Sequence, residues 1–224
     1  MPLFFNGVDI KAVVYNGVNL AQLVFNGVTV WNSGPTVAVY YGGVTDAFNF
    51  VNTVTRINSN GALVGSQTNV GTTRGHLAGA EIGGNGVYYG GQLVQGSGKN
   101  STTTVFNRVT RINSNGALVG SETNVGTARR FLGGASVGTV GVYYAGSPSS
   151  LGVSRAVTRI NSDGALVGSE TTVGSNVSPA GASLGSIGVY RDGTLTTRIN
   201  SNGALVGSET NVGSVINQLA GAGL

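Results

Sequence analysis

The sequence predicts an all-β protein: four glycine-rich repeats preceded by a short ladder of β-hairpins. Three observations carry that expectation. An eleven-residue motif returns four times, each copy holds an Asn-Gly or Asp-Gly turn signal, and a second Asn-Gly pattern of ten-residue period fills the first 31 residues. Glycine accounts for 39 of 224 residues, far above the usual ~7%. Charged residues are only 9% and hydrophobic residues 40%, the opposite of the balance that keeps a chain disordered. A chain of this length buries enough surface to fold without staples. It has no cysteine, which excludes a disulfide framework and any thiolate metal site.

The ladder comes first. Phe4-Phe5-Asn6-Gly7-Val8, Val14-Tyr15-Asn16-Gly17-Val18 and Val24-Phe25-Asn26-Gly27-Val28 recur every ten residues and lead to the one tryptophan, Trp31. Asn-Gly between β-branched and aromatic residues is a hairpin signal. Isolated hairpins are marginal in water, so a strip this short must pack on something else. Phe4, Phe5, Tyr15, Phe25 and Trp31 are therefore the expected assembly interface, and residues 1–33 an attachment segment. Asn32-Ser33-Gly34-Pro35 reads as a hinge, with the repeat domain over 34–224.

In the repeat domain, Arg-Ile-Asn-Ser-(Asn/Asp)-Gly-Ala-Leu-Val-Gly-Ser starts at Arg56, Arg111, Arg159 and Arg198, at spacings of 55, 48 and 39 residues. A Val-Tyr element precedes each copy: Val39-Tyr40-Tyr41, Val87-Tyr88-Tyr89, Val142-Tyr143-Tyr144 and Val189-Tyr190-Arg191. A small-residue element appears as Leu77-Ala78-Gly79-Ala80, Leu132-Gly133-Gly134-Ala135 and Leu219-Ala220-Gly221-Ala222. The Asn115-Gly116 pair predicts a type I′ turn, with Ile112 opposite Val119, Thr110 opposite Ser121, and Arg111 diagonal to Glu122. The hairpin is semi-apolar on both faces and so needs neighbours on both, as blades of a propeller or rungs of a solenoid provide. Small residues suit the strand nearest the axis, where backbones approach closely. Each unit thus reads as four strands in a β-propeller-like domain. Tyrosine pairs in such strands are expected to be packing residues.

The run from Gly126-Thr127-Ala128-Arg129 through Leu132-Gly133-Gly134-Ala135 to Gly141-Val142-Tyr143-Tyr144-Ala145-Gly146 resembles a kelch-type propeller blade. That likeness covers residues 37 to 224 and implies a kelch-like β-propeller, although four units are fewer than the usual six or seven and the kelch tryptophan is absent. Unit 1 opens without a small-residue strand, and Leu219 to Leu224 offers a spare one. The two together would complete a blade, within one chain or between chains. The N-terminal ladder resembles the short Asn-Gly-Val segments of phage tail and other virion proteins, where they serve assembly.

Chemistry is sparse. His76 is the single histidine and is expected at the surface. The eight acids form no short acid–base motif, Gly96-Ser97-Gly98-Lys99-Asn100 fails the phosphate-loop pattern, and the turns hold too few carboxylates for calcium. No catalytic residue, metal site or cofactor is expected. A net charge of +4 without a basic stripe does not suggest nucleic acid, and no apolar run reaches the ~20 residues of a membrane span. The stretch between the Val-Tyr strand and the hairpin varies most, and its longest copy places Lys99, Asn100 and Ser101 at the tip as the expected ligand contact. The resulting expectation is a non-enzymatic structural or adhesive component of a bacteriophage virion, such as a tail or fibre protein. It would be made in the host cytoplasm without a signal peptide, and its partners would be other virion proteins, copies of itself, or a host surface glycan. A lectin-like propeller is the alternative, and a hydrolase with dispersed acids is the distant one.

Overall fold

The computed structural model describes residues 3–5, 8–10, 14–15, 18–19, 22–25 and 28–32 as backbone strands, and 37–96, 98–148 and 152–215 more fully. The first group forms three antiparallel hairpins. Leu3–Phe5 (β1) pairs with Val8–Ile10 (β2), Val14–Tyr15 (β3) with Val18–Asn19 (β4), and Gln22–Phe25 (β5) with Val28–Asn32 (β6). These are the hairpins that the ten-residue Asn-Gly period predicts.

The repeat region is four successive antiparallel sheets. Unit 1 has three strands, Val37–Val44 (β7), Phe50–Asn58 (β8) and Thr68–Asn69 (β9), in that order. Unit 2 runs Ala78–Ile82 (β10), Asn85–Tyr89 (β11), then Arg108–Asn113 (β14) and Thr123–Asn124 (β15), with the hairpin Gln92–Gln95 (β12) and Thr102–Val105 (β13) inserted. Unit 3 comprises Gly133–Val137 (β16), Val140–Tyr144 (β17), Ala156–Ile160 (β18) and Thr171–Thr172 (β19). Unit 4 comprises Ala180–Leu184 (β20), Ile187–Asp192 (β21), Leu195–Asn200 (β22) and Thr210–Asn211 (β23).

The small-residue strands β10, β16 and β20 pack directly on one another. A Cβ on Gly134 would lie 2.6 Å from the Gly79 carbonyl oxygen, and one on Gly181 would overlap the Gly134 carbonyl. Only glycine permits that approach, which explains the strand's composition. Tyrosines join consecutive units. Tyr88 Oη donates to the Val39 carbonyl of the unit before, Tyr143 Oη to Val87 at 2.6 Å, and Tyr190 Oη to Val142 at 2.7 Å. Ring pairs Tyr41–Tyr88, Tyr89–Tyr143 and Tyr144–Tyr190 stand 5.3–5.4 Å apart across the same boundaries. The packing role expected of these tyrosines holds.

The predicted turn is corrected. φ is positive at Gly116 (79°) but not at Asn115, so the loop is not type I′. It has three residues: Gly116 N donates to Asn113 O at 2.9 Å and Asn113 N to Ala117 O at 3.0 Å. The Asn113 side chain accepts from the N–H groups of Asn115 and Ala117, both at 3.0 Å, and so satisfies the turn's donors itself. Asn58, Asn161 and Asn200 repeat the arrangement. Two-residue turns with positive φ at both positions occur instead at Gly83-Gly84, between β10 and β11.

The longer loop shifts the register. Ile112 lies opposite Leu118 and Val109 opposite Thr123, with Gly120 at φ 65° bulging between them. Glu122 therefore reaches Thr110 rather than Arg111. Arg111 extends to the turn of the next unit, where Nη1 donates to Ser162 O at 3.3 Å. Completion of unit 1 by Leu219 to Leu224 lies outside the described residues.

Candidate functional site: an exposed aromatic surface at the loop ends

The strongest candidate lies where the unit linkers enter β10 and β16. Gly71 to Leu77 and Gly126 to Leu132 have equal length, which makes His76 and Phe131 equivalent positions. Both are exposed, and their rings stand 4.5 Å apart at 48°. Phe50, at the start of β8, meets His76 edge-on at 6.0 Å. Phe131 N donates to His76 O at 2.9 Å, so the two linkers are tied together beneath the rings. The Arg130 guanidinium lies 5.3 Å over the Phe131 ring and donates to the Gln92 side chain.

The backbone under this surface is strained. Among the described residues, the non-glycine positions with positive φ are Phe48 (59°), His76 (56°), Phe131 (57°) and Ala145 (60°). Two of these belong to the cluster, and Phe48 sits on the β7–β8 loop beside Phe50, 85% exposed. A bulky residue in this region costs roughly 1–3 kcal/mol, and such strain persists where the surroundings fix it, often at binding sites. Large apolar rings held out to solvent at that cost are the reverse of what core packing selects. Partial burial, followed by the nearby Arg130 charge, pushes the His76 pKa below its ordinary value.

The linkers are anchored from below by buried arginines. Arg74 lies fully buried, with Nη2 donating to Tyr88 O at 3.2 Å and Thr110 Oγ1 at 2.8 Å, and Nη1 3.4 Å from Glu122. Arg129 repeats this in unit 3, with Ala145 O at 2.7 Å, Ala156 O at 2.6 Å and Glu170 at 3.5 Å. Glu122 and Glu170 also accept from Thr72 and Thr127 of the linkers. Burial works to raise both carboxyl pKa values, but these hydroxyl and amide hydrogen bonds outweigh it and hold them below the ordinary value. These acids are structural ties. Asn176 replaces the arginine in unit 4, donating to Tyr190 O at 3.1 Å.

The other predicted positions fall as follows. Lys99 and Asn100 end a one-turn 3-10 helix, Gly98–Asn100, and with Ser101 they form the exposed tip of the β12–β13 hairpin. The stretch read as a loop is thus mostly a hairpin, because Leu93-Val94 and Thr102 to Val105 are good strand formers. Its base is bonded to the linker, Gln92 N to Gly75 O at 2.8 Å, so it rises beside His76. Phe4 and Phe5 lie on β1, Tyr15 on β3, Phe25 on β5 and Trp31 on β6; their side chains fall outside what is described. His76 was expected at the surface, but the His76–Phe131 surface went unread. Aligning units on the Gly71-to-Leu77 spacing would have found it. Among the described residues no group of three or more His, Asp or Glu side chains could hold a metal ion, and no helix is long and apolar enough to cross a membrane. No protein-family model matches the sequence, and neither does any curated protein.

Proposed function

We propose that the chain is a non-enzymatic adhesive module of a bacteriophage-type particle. A kelch-like propeller domain presents a binding surface, and residues 1–33, with Phe4, Phe5, Tyr15, Phe25 and Trp31, attach it to other particle proteins or to copies of itself. The carrying observation is the His76–Phe131–Phe50 surface, bordered by Arg130 and Gln92 and held on strained backbone. Aromatic faces flanked by a guanidinium suit a sugar ring, whose apolar face stacks while its hydroxyls meet the donor. The packing of inner strand on inner strand, with one Val-Tyr strand per unit bonded to the unit before, supports the propeller reading. A lectin-like propeller unconnected with a particle rests on the same surface and is the second reading.

The test is binding to arrayed bacterial surface polysaccharides and to whole bacterial cells. The double substitution His76→Ala with Phe131→Ala should lower binding at least about tenfold, equivalent to ~1.4 kcal/mol, without lowering the melting temperature. Undiminished binding by the double variant would remove the surface from consideration. Binding that survives in a chain lacking residues 1–33, together with failure of the full chain to co-assemble with particle proteins, would favour the free lectin.

A further inference from the structure

In unit 1 one strand position stands open among the described residues. Among the described residues β7 is paired on one side only, with β8. Along its other edge runs a groove of about 540 Å³, lined by Val37, Val39, Tyr40, Gly79, Glu81 and Gly86. The same space in unit 2, beside β11, is filled by β10, which pairs with β11 on its edge and packs on β16 with its face. The groove is the place of an inner strand.

The sequence holds a segment that fits it. Leu219-Ala220-Gly221-Ala222-Gly223-Leu224 shares with Leu77-Ala78-Gly79-Ala80-Glu81-Ile82 its large aliphatic ends and its Ala-Gly-Ala centre, and Gly213 precedes it by the same six residues as Gly71 and Gly126 precede theirs. Arg191 ties the chain after β23 by donating to Ser214 O at 2.9 Å, as Tyr41 Oη ties the chain after β9 through Thr72 O at 2.6 Å. The chain thus leaves unit 4 by the route that leads elsewhere into the next inner strand. The charges agree. Ile216 stands where Arg74 and Arg129 stand, and Gln67 of unit 1 stands where their partners Glu122 and Glu170 stand. Both charges are missing together, as they should be if Ile216 and Gln67 share one unit.

Among the described residues the two end faces are complementary and unmet. Tyr40 is 56% exposed, whereas its equivalents Tyr143 and Tyr190 are fully buried against the preceding unit. Arg56, Arg111 and Arg159 each lie over the turn glycine of the next unit, Gly116, Gly164 and Gly203, at 3.2–3.3 Å from a Cβ placed there. Arg198 is the next in that series and Gly61 the remaining glycine, yet no described atom lies within 4 Å of a Cβ at Gly61. Among the described residues, unit 4 of the same chain does not cover it.

We propose that a second copy of the chain completes unit 1: its Leu219–Leu224 segment adds to β7 as the inner strand, and its unit 4 covers Tyr40 and Gly61. This is strand addition across a head-to-tail interface, which closes as a ring or propagates as a filament. By the β10–β11 register, Ala222 falls opposite Val39 and Ala220 opposite Tyr41. The proposal holds whether or not the chain belongs to a particle.

Cysteine crosslinking tests it in the full chain, which has no cysteine of its own. Val39→Cys and Ala222→Cys variants are mixed and oxidised, and the double variant is oxidised alone. The mixed single variants should yield a disulfide-linked pair. Crosslinking only in the double variant, at monomer mass, would overturn the second copy in favour of closure within the chain. No crosslink in either would overturn strand addition altogether. Light scattering gives an independent reading: Tyr40→Asp, at a position exposed in the single chain, should weaken self-association at least about tenfold while leaving the circular-dichroism spectrum of the folded chain unchanged. A wild-type chain that is monomeric at every concentration would also overturn the proposal.

Discussion

Units 1 and 3 carry the same hairpin and differ in what stands beside them. Unit 3 has a neighbour on each face: Tyr143, Tyr144, Val142, Val157 and Ile160 are all fully buried. In unit 1 the side that meets the following unit is equally tight, with Val54 and Tyr41 buried, but Tyr40 and Ile57 on the other side are not. One motif thus gives a core residue or a surface residue according to whether a preceding unit is present. Burial in this protein belongs to the interface between units, as in other stacked repeats where stability is a sum of unit and neighbour contributions.

The largest effect expected from that comparison is at the first tyrosine. Tyr143→Ala should destabilise by about 3–5 kcal/mol, because it opens a cavity between units 2 and 3 and leaves the Val87 carbonyl without its donor. At concentrations where the chain is monomeric, Tyr40→Ala should cost no more than about 1 kcal/mol, since Tyr40 is exposed in the single chain. Urea unfolding measures both, and equal costs would mean that the two units are flanked alike.

The turn asparagine gives a smaller effect and a sharper contrast. Asn113→Ala removes two side-chain hydrogen bonds made entirely within its own hairpin and should cost about 1–2 kcal/mol. Asn58→Ala makes the same deletion in unit 1 and should cost about the same. A much smaller cost at Asn58 would show that neighbouring units hold the turn in place.

The smallest effect is in acid. The carboxyl pKa of Glu122 is lower in the folded state than in the unfolded chain, so its contribution is fully present above the unfolded carboxylate value of about 4.3. It is lost as pH falls through the lower folded value. Glu122→Gln should therefore flatten the decline of stability below about pH 5. Gln67→Glu should steepen it by less than Glu122 does, since among the described residues the Gln67 side chain bonds Thr55 alone. Melting temperatures across that pH range decide the matter, and an unchanged slope for Glu122→Gln would remove the carboxylate from the linker tie.

Much of the fold was legible because its signals are local. Asn-Gly and Asp-Gly mark turns, and a four-fold motif marks four units whatever their arrangement. The register was not legible, since it depends on Asn113 Oδ1 accepting two backbone bonds and so lengthening the loop by one residue. The aromatic surface escaped for a different reason. Nothing in Gly75-His76-Leu77 announces a partner 55 residues away in Phe131, and side chains at positive φ leave no mark in composition.

The sequence by itself determined the Val-Tyr strands, the hairpin of each repeat and the small-residue inner strands of units 2 and 3, because each follows from bond geometry and hydrogen bonding within about ten neighbouring residues. Tertiary structure alone decided which tyrosine of each pair is buried, that Arg74 and Arg129 lie in the interior, and that Arg56, Arg111 and Arg159 each reach the next unit's turn. Those outcomes depend on groups some 40 to 60 residues apart in the chain. A buried charge or phenol is tolerable only once carbonyls and carboxylates from elsewhere converge on it, and that convergence exists only in the packed array.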